Sequence, residues 1–272
     1  MSTGKQIFVF DMGVKGAAVA TVMGQIISSW FAVYFNLKCN KELTLKFNGF
    51  RPSAQIIGSI YSVGVPSIVM ASIGSIMTFC MNQILIAFTT TATAVLGVYF
   101  KLQSFIFMPV FGLNNGMVPV VAYNFGAQRA DRMLKTVKLS VLYATCMMLL
   151  GIAAFQLIPH VLLGFFEPSP QMLEIGVTAL RVISLHFVLA GFCIISSSMF
   201  QAMGHGMFGL IISLVRQLVV LLPSAWLLSL TGRLDLIWWA FPIAEIASLT
   251  MCLIFMRIVY RRDILPMTAS NS

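Results

Sequence analysis

Seven long apolar runs divide the chain, and their length is what most limits the fold. They lie near 14–35, 55–88, 93–122, 137–158, 173–203, 207–230 and 234–258. A helix needs about 20 residues, at roughly 1.5 Å rise each, to cross a hydrocarbon core. Each run is long enough. In lipid the backbone must satisfy its own hydrogen bonds, which for runs of this length means helices. Composition agrees: of 272 residues 59% are hydrophobic and only 9% charged, against about 25% charged in a soluble domain. The expected class is an all-α integral membrane protein with about seven transmembrane helices, the lipid bilayer being its solvent.

A net charge of +9 would suggest nucleic acid in a soluble chain. Here the basic residues lie between the apolar runs, so membrane orientation explains them and no nucleic-acid partner is expected. Lys38, Lys41, Lys46 and Arg51 occupy the connection "NLKCNKELTLKFNGFRPSAQ"; Arg129, Arg132, Lys135 and Lys138 follow the third run; Arg257, Arg261 and Arg262 follow the last. These loops alternate onto one face, which the positive-inside rule makes cytoplasmic. A multi-pass plasma-membrane protein with its C-terminus inside is the expectation. "MSTGKQIFVFD" lacks the pattern of a cleaved signal, so the first run is expected to direct insertion. Cys39 lies in the basic loop, and Cys80, Cys146, Cys193 and Cys252 lie in apolar runs, a distribution of buried thiols rather than a disulfide framework.

Polar residues within the runs mark faces turned toward other helices or water. Ser67, Ala71, Gly74, Thr78 and Asn82 form one stripe, and Arg181, Ser184, Gly191 and Ser198 another. Lys101, with Gln103 and Ser104 nearby, is expected to face a cavity or polar partner, because its stem can snorkel only part of the distance to the interface. Arg181 enters from the same side, and either reaches the interface or shares that cleft. Arg216 and Glu245 flank the turn near Thr231 and Gly232; the hairpin brings them to within about 5 Å in depth, and a buried ion pair is expected, with ion binding at Glu245 the sharper alternative. His186 is read as a packing residue.

Several catalytic patterns fail on context. "GHGMFG" joins two apolar runs and follows no strand, so it is not a dinucleotide site. His160, His186 and His205 are dispersed, and no metal site is expected. "GLNNG" is read as a G-x-x-x-G helix contact. No catalytic set assembles, and no enzyme is expected.

"KLQSFIFMPVFGLNNGMVPVVAYNFGAQRADRM" resembles the second and third helices of a lobe in the multidrug and toxic compound extrusion (MATE) transporters. "GVPSIVMASIGSIMTFCMNQ" is similar to the lobe-opening helix and "SSMFQAMGHG" to the end of the fourth. "FVFDMGVKGAAVATVMGQIISS" resembles the last helix of the N-terminal lobe, and "LIWWAFPIAEIASL" its counterpart in the second. The resemblance implies one six-helix MATE-type lobe plus one preceding helix. Residues 1–35 would be that helix, 36–54 a cytoplasmic inter-lobe linker, 55–260 the C-terminal lobe and 261–272 a cytoplasmic tail.

The function implied is cation-coupled antiport of organic compounds, driven by Na+ or H+, from a chain incomplete without an N-terminal lobe. Small-molecule organic cations are the implied substrates. An N-terminal half-transporter or a second copy is the implied partner. Asn82, Lys101, Gln103, Asn115, Gln201 and Arg181 are the cavity candidates; Pro66, Pro119, Tyr123, Asn124 and Gly126 are the hinge and family signature. No acid occurs between Glu42 and Asp131 or between Glu174 and Asp235, where one branch of the family carries carboxylates. The coupling ion is therefore expected to bind in the absent N-terminal lobe, with no other cofactor. A lipid or lipid-linked oligosaccharide flippase, a non-transporting membrane scaffold and a split-gene product are the alternatives.

Overall fold

The computed structural model describes residues 13–39 and 53–269. Lys41, Lys46 and Arg51 of the expected linker lie outside the described residues. The chain divides into two units, Met1–Ser59 and Ile60–Ser272. In the first, helix α1 (Gly13–Cys39) carries an aromatic ladder in which Trp30 stacks on Tyr34 at 5.6 Å. Lys38 Nζ donates to the Tyr34 hydroxyl at 3.0 Å, one turn on.

The second unit takes in most of α2 (Ala54–Ile86), then α3 (Thr90–Gly126), α4 (Ala130–Leu157), a short α5 (Pro159–Gly164), α6 (Pro170–Ser184) and α7 (Phe187–Ala202). Next come α8 (Gly206–Leu214), a π turn (Val215–Leu221) and α9 (Leu222–Ser229), which together form one rod. The hairpin returns through α10 (Leu234–Ile237) and α11 (Ala240–Val259), and a second π turn (Tyr260–Ile264) leads into α12 (Leu265–Ala269). Among the described residues five helices are long and apolar enough to cross a membrane, and the bent α6–α7 pair makes a sixth. The remaining expected run is α2, 33 residues long, where Pro66 sits within the helix but its side chain lies outside the described residues.

Local chemistry sets the ends. Thr89 is extended at φ −165° and accepts from Thr91 N at 3.2 Å, capping α3. Ser169 caps α6 in the same way, accepting from Met172 N at 3.2 Å, with Pro170 at the first helical position. α7 ends at Gly204, φ +86°, where His205 N donates to Phe200 O at 2.8 Å and Gly204 N to Gln201 O at 3.1 Å. That pair of bonds is a Schellman closure.

The segment around Tyr123 closes in the same way, with a twist in residue choice. α3 ends at Gly126, yet the left-handed residue is Gln128, φ 55°. Arg129 N donates to Asn124 O at 2.8 Å and Gln128 N to Phe125 O at 3.1 Å. Asn124 is 7% exposed and its amide donates to Val120 O at 2.8 Å, whereas Tyr123 is 76% exposed. Pro109 and Pro119 lie inside an unbroken α3.

One expected helix is two. The run near 173–203 bends by 49° between α6 and α7. The His186 ring turns back onto the Ile183 carbonyl, and Gln156 of α4 donates to Arg181 O at 2.8 Å and to Ser184 Oγ at 3.1 Å. A carbonyl released at the bend thus finds a donor on a neighbouring helix, the condition under which a helix can break at membrane depth. The last helix also runs on to Ala269, beyond the expected end of the span near 258.

The core lies where α3 meets α4 and α4 meets α7, the most extensive pairings. Tyr99, Phe155, Phe187 and Phe241 interlock there through edge-on ring contacts, with Tyr99–Phe155 at 6.5 Å and Phe155–Phe187 at 5.2 Å. Close approach is permitted by glycines other than those of "GLNNG". A Cβ on Gly151 would fall 2.5 Å from Ile106 Cγ2 and one on Gly191 2.9 Å from Met148 Cγ, but one on Gly112 or Gly116 would meet nothing within 4 Å. The outward faces carry Phe105, Leu150, Leu157 and Phe165, each more than 70% exposed, as lipid-facing helices require.

Candidate functional site

The polar centre of the lobe is built on the π turn. A π turn inserts one residue into the helical register and re-aims the side chains that follow its start. It carries Arg216 and Gln217 opposite α11, against which it packs extensively. Arg216 Nη1 donates to Glu245 Oε2 at 3.3 Å. The two are unequally placed: the glutamate side chain is 3% exposed and the arginine 32%. The second carboxylate oxygen, Oε1, is buried without a protein partner, as are Asn114 Oδ1 and Ser248 Oγ.

Three cavities meet at Arg216. One, of 190 Å³, is bordered by His186, Gln103, Gln217, Phe241 and Glu245. A second, of 260 Å³, lies between Gln103, Ser104, Phe107, Phe111 and Ile194. The third, of 210 Å³, is edged by Asn114, Ser197, Ser198, Ser213 and Ser248. Gln103 borders the first and second, and Phe111 and Ile194 the second and third, so the three adjoin as a divided cleft between α3, α7, the π turn and α11. Buried acceptors without protein partners beside such spaces are groups that water or a ligand would satisfy.

Of the cavity residues expected from sequence, Gln103 lines two of these spaces. Asn82 lies on a separate open groove of α2 with Gly74, Ser75, Thr78 and Phe79. Lys101, Arg181, Asn115 and Gln201 are exposed and border none of the three. The Lys101 ammonium lies 5.9 Å from the centroid of the Phe166 ring, consistent with a stem that snorkels. Arg181 contributes its carbonyl to the α6–α7 bend.

The helical phase explains the difference. At about 100° per residue, Asn114 returns to the azimuth of Gln103, whereas Asn115 lies a third of a turn away and Lys101 nearly opposite. Counting from Gln103 would have selected Asn114. His186 borders the cavity as well as packing, stacking at 6.3 Å on Phe241. Ser198 lies on the polar stripe expected from sequence, whereas Gln217, Ser248 and Ser197 carried no signal beyond being polar in an apolar run.

Comparison with known proteins fits this architecture. The MatE family profile matches residues 66–227. The multidrug export protein MepA of Staphylococcus saprophyticus is 30% identical over 260 residues, covering 93% of this chain and 55% of that protein. MepA of Staphylococcus aureus strain MRSA252 is 29% identical over 271 residues, covering 97% and 58% respectively. The chain therefore spans somewhat over half the length of these relatives. Among solved structures, an outward-facing multidrug resistance MATE family transporter of the MOP superfamily superposes with a TM-score of 0.82 at 23% identity, over 97% of this chain and 59% of that one. An inward-facing structure gives 0.79 at 23%, over 98% and 61%. At such identities the structures speak for the fold alone. With the profile covering more than half of the residues, this multi-pass membrane chain belongs to the MatE family of transporters.

Proposed function

We propose that the chain is the C-terminal portion of a cation-coupled exporter of organic compounds. The observation that carries this reading is the lobe formed by α2 to α12, in a chain that covers over half of each of two multidrug export proteins. Alternating access requires one lobe to rock against another around a central site. The reading therefore includes a partner lobe, supplied by an N-terminal half-transporter or by a second copy, and a path formed where the two lobes face each other. Na+ or H+ would bind in the partner lobe, and small organic cations would be exported across the plasma membrane, with the C-terminus of this chain inside the cell.

The test is export of ethidium from a transporter-deficient bacterial host carrying this chain alone, and carrying it with a supplied N-terminal lobe. Export driven by a sodium or proton gradient is expected with the supplied lobe, and from this chain alone only where two copies assemble. Gradient-driven export by the purified monomer would overturn the half-transporter reading.

A further inference from the structure

We propose that the cleft beside Arg216 binds aromatic organic anions, planar rings bearing a carboxylate or sulfonate, with the guanidinium taking the charged end. The inference goes beyond the export reading and does not rest on it.

Burial decides the sign of the site. Among the residues lining the three cavities only Arg216 and Glu245 carry a formal charge, and Glu245 borders only the 190 Å³ space. The 260 and 210 Å³ spaces therefore face one positive charge and no negative one. A guanidinium has five N–H donors in a planar fork, and Arg216 gives Glu245 a single hydrogen bond, at a long 3.3 Å. The arginine side chain is 32% exposed and the carboxylate 3%. A group entering the 260 or 210 Å³ space meets the cation and no carboxylate. Planar bidentate pairing with a carboxylate is the interaction that such a fork makes best.

The walls supply the aromatic preference. The 260 Å³ space has Phe107, Phe111 and Ile194 as its apolar sides, with Gln103 and Ser104 as the polar edge. Its volume falls below the roughly 300–1,000 Å³ of drug-sized pockets, which suits a two-ring acid or the acidic end of a larger molecule. Because the ligand would compete with Glu245 for the same guanidinium, removing the carboxylate charge should strengthen binding, the opposite of what a cation site would show.

The experiment is equilibrium binding of 2-naphthoate and of its cationic counterpart, 2-naphthylmethylammonium, to the full chain in lipid nanodiscs. Empty nanodiscs titrated with each compound give its own lipid background. We expect naphthoate to bind at least tenfold more tightly than the ammonium. Glu245→Gln should tighten naphthoate several-fold, and the double variant Arg216→Gln, Glu245→Gln, which leaves no unpaired buried charge, should weaken it at least tenfold. Equal or stronger binding of the ammonium, weaker naphthoate binding in Glu245→Gln, or unchanged affinity in the double variant would each overturn the proposal. No gradient or partner lobe enters the measurement, so failure of coupled export leaves it standing.

Discussion

Arg216 on a π turn and Glu245 on α11 meet at 3.3 Å, joining the two arms of the last hairpin. Breaking a buried pair by removing one partner typically costs about 3–5 kcal/mol, because the other charge stays behind unpaired. Arg216→Ala strands a carboxylate that is 3% exposed and should lie near the upper part of that range. Glu245→Ala leaves an arginine that already reaches the cleft and should cost less. Thermal melting of both single variants and the double in detergent checks this. A double variant more stable than Arg216→Ala is expected.

Packing between α3 and α4 depends on Gly151. A methyl there would approach Ile106 Cγ2 to 2.5 Å, so Gly151→Ala should destabilise by about 1–3 kcal/mol, the usual cost of overpacking. Adding Ile106→Ala should recover part of the loss. Gly112→Ala, with open space around it, serves as the control and should melt like the parent chain.

The bend at His186 leans on one amide from another helix. Gln156→Leu removes the donor to Arg181 O and Ser184 Oγ, but the Ser184 hydroxyl still donates to Arg181 O at 3.0 Å, so the change should cost about 0.5–1.5 kcal/mol, the net worth of an ordinary hydrogen bond. Hydrogen exchange should rise first at amides near residues 183–188. Unchanged exchange there would mean that the bend is held by packing alone.

A stabilising change is expected at Gln128. Its φ of 55° lies in the left-handed region, which costs a residue with a side chain roughly 1–2 kcal/mol relative to glycine. Gln128→Gly should therefore raise the melting temperature by a few degrees, with Gly126→Ala close to neutral because its added methyl meets nothing within 4 Å.

The α7–α8 turn is tied to the end of the chain. His205 Nε2 lies 2.9 Å from Asp263 Oδ2, and Phe208 stacks on Phe255 at 4.4 Å. With both side chains about a fifth exposed, this hydrogen bond should be worth about 1 kcal/mol. Asp263→Asn should speed amide exchange between residues 259 and 267 by about fivefold, with little effect on α3 or α4.

Much of this molecule was readable in one dimension. A bilayer demands only length and apolarity of a spanning helix, so seven runs in the sequence become the long helices and the α6–α7 pair. Depth was readable too: residue counts from the turn near Gly232 put Arg216 and Glu245 at one level, where the structure has them in contact. Azimuth was not. Lipid, a neighbouring helix and a cleft all accept the same apolar residues, so composition does not say which side of a span faces which. That is why Asn114 rather than Asn115 borders the cleft and why Lys101 leans over Phe166. The bend at His186 and the π turn at Arg216 were equally hidden, since each depends on partners from distant segments: Gln156 on α4 for the first, Glu245 on α11 for the second. The sequence by itself determined that this chain is a multi-pass membrane protein and that Arg216 and Glu245 share a level; only tertiary packing decided which polar groups share a cavity, because a hydrogen bond forms across helices only once their faces are turned together.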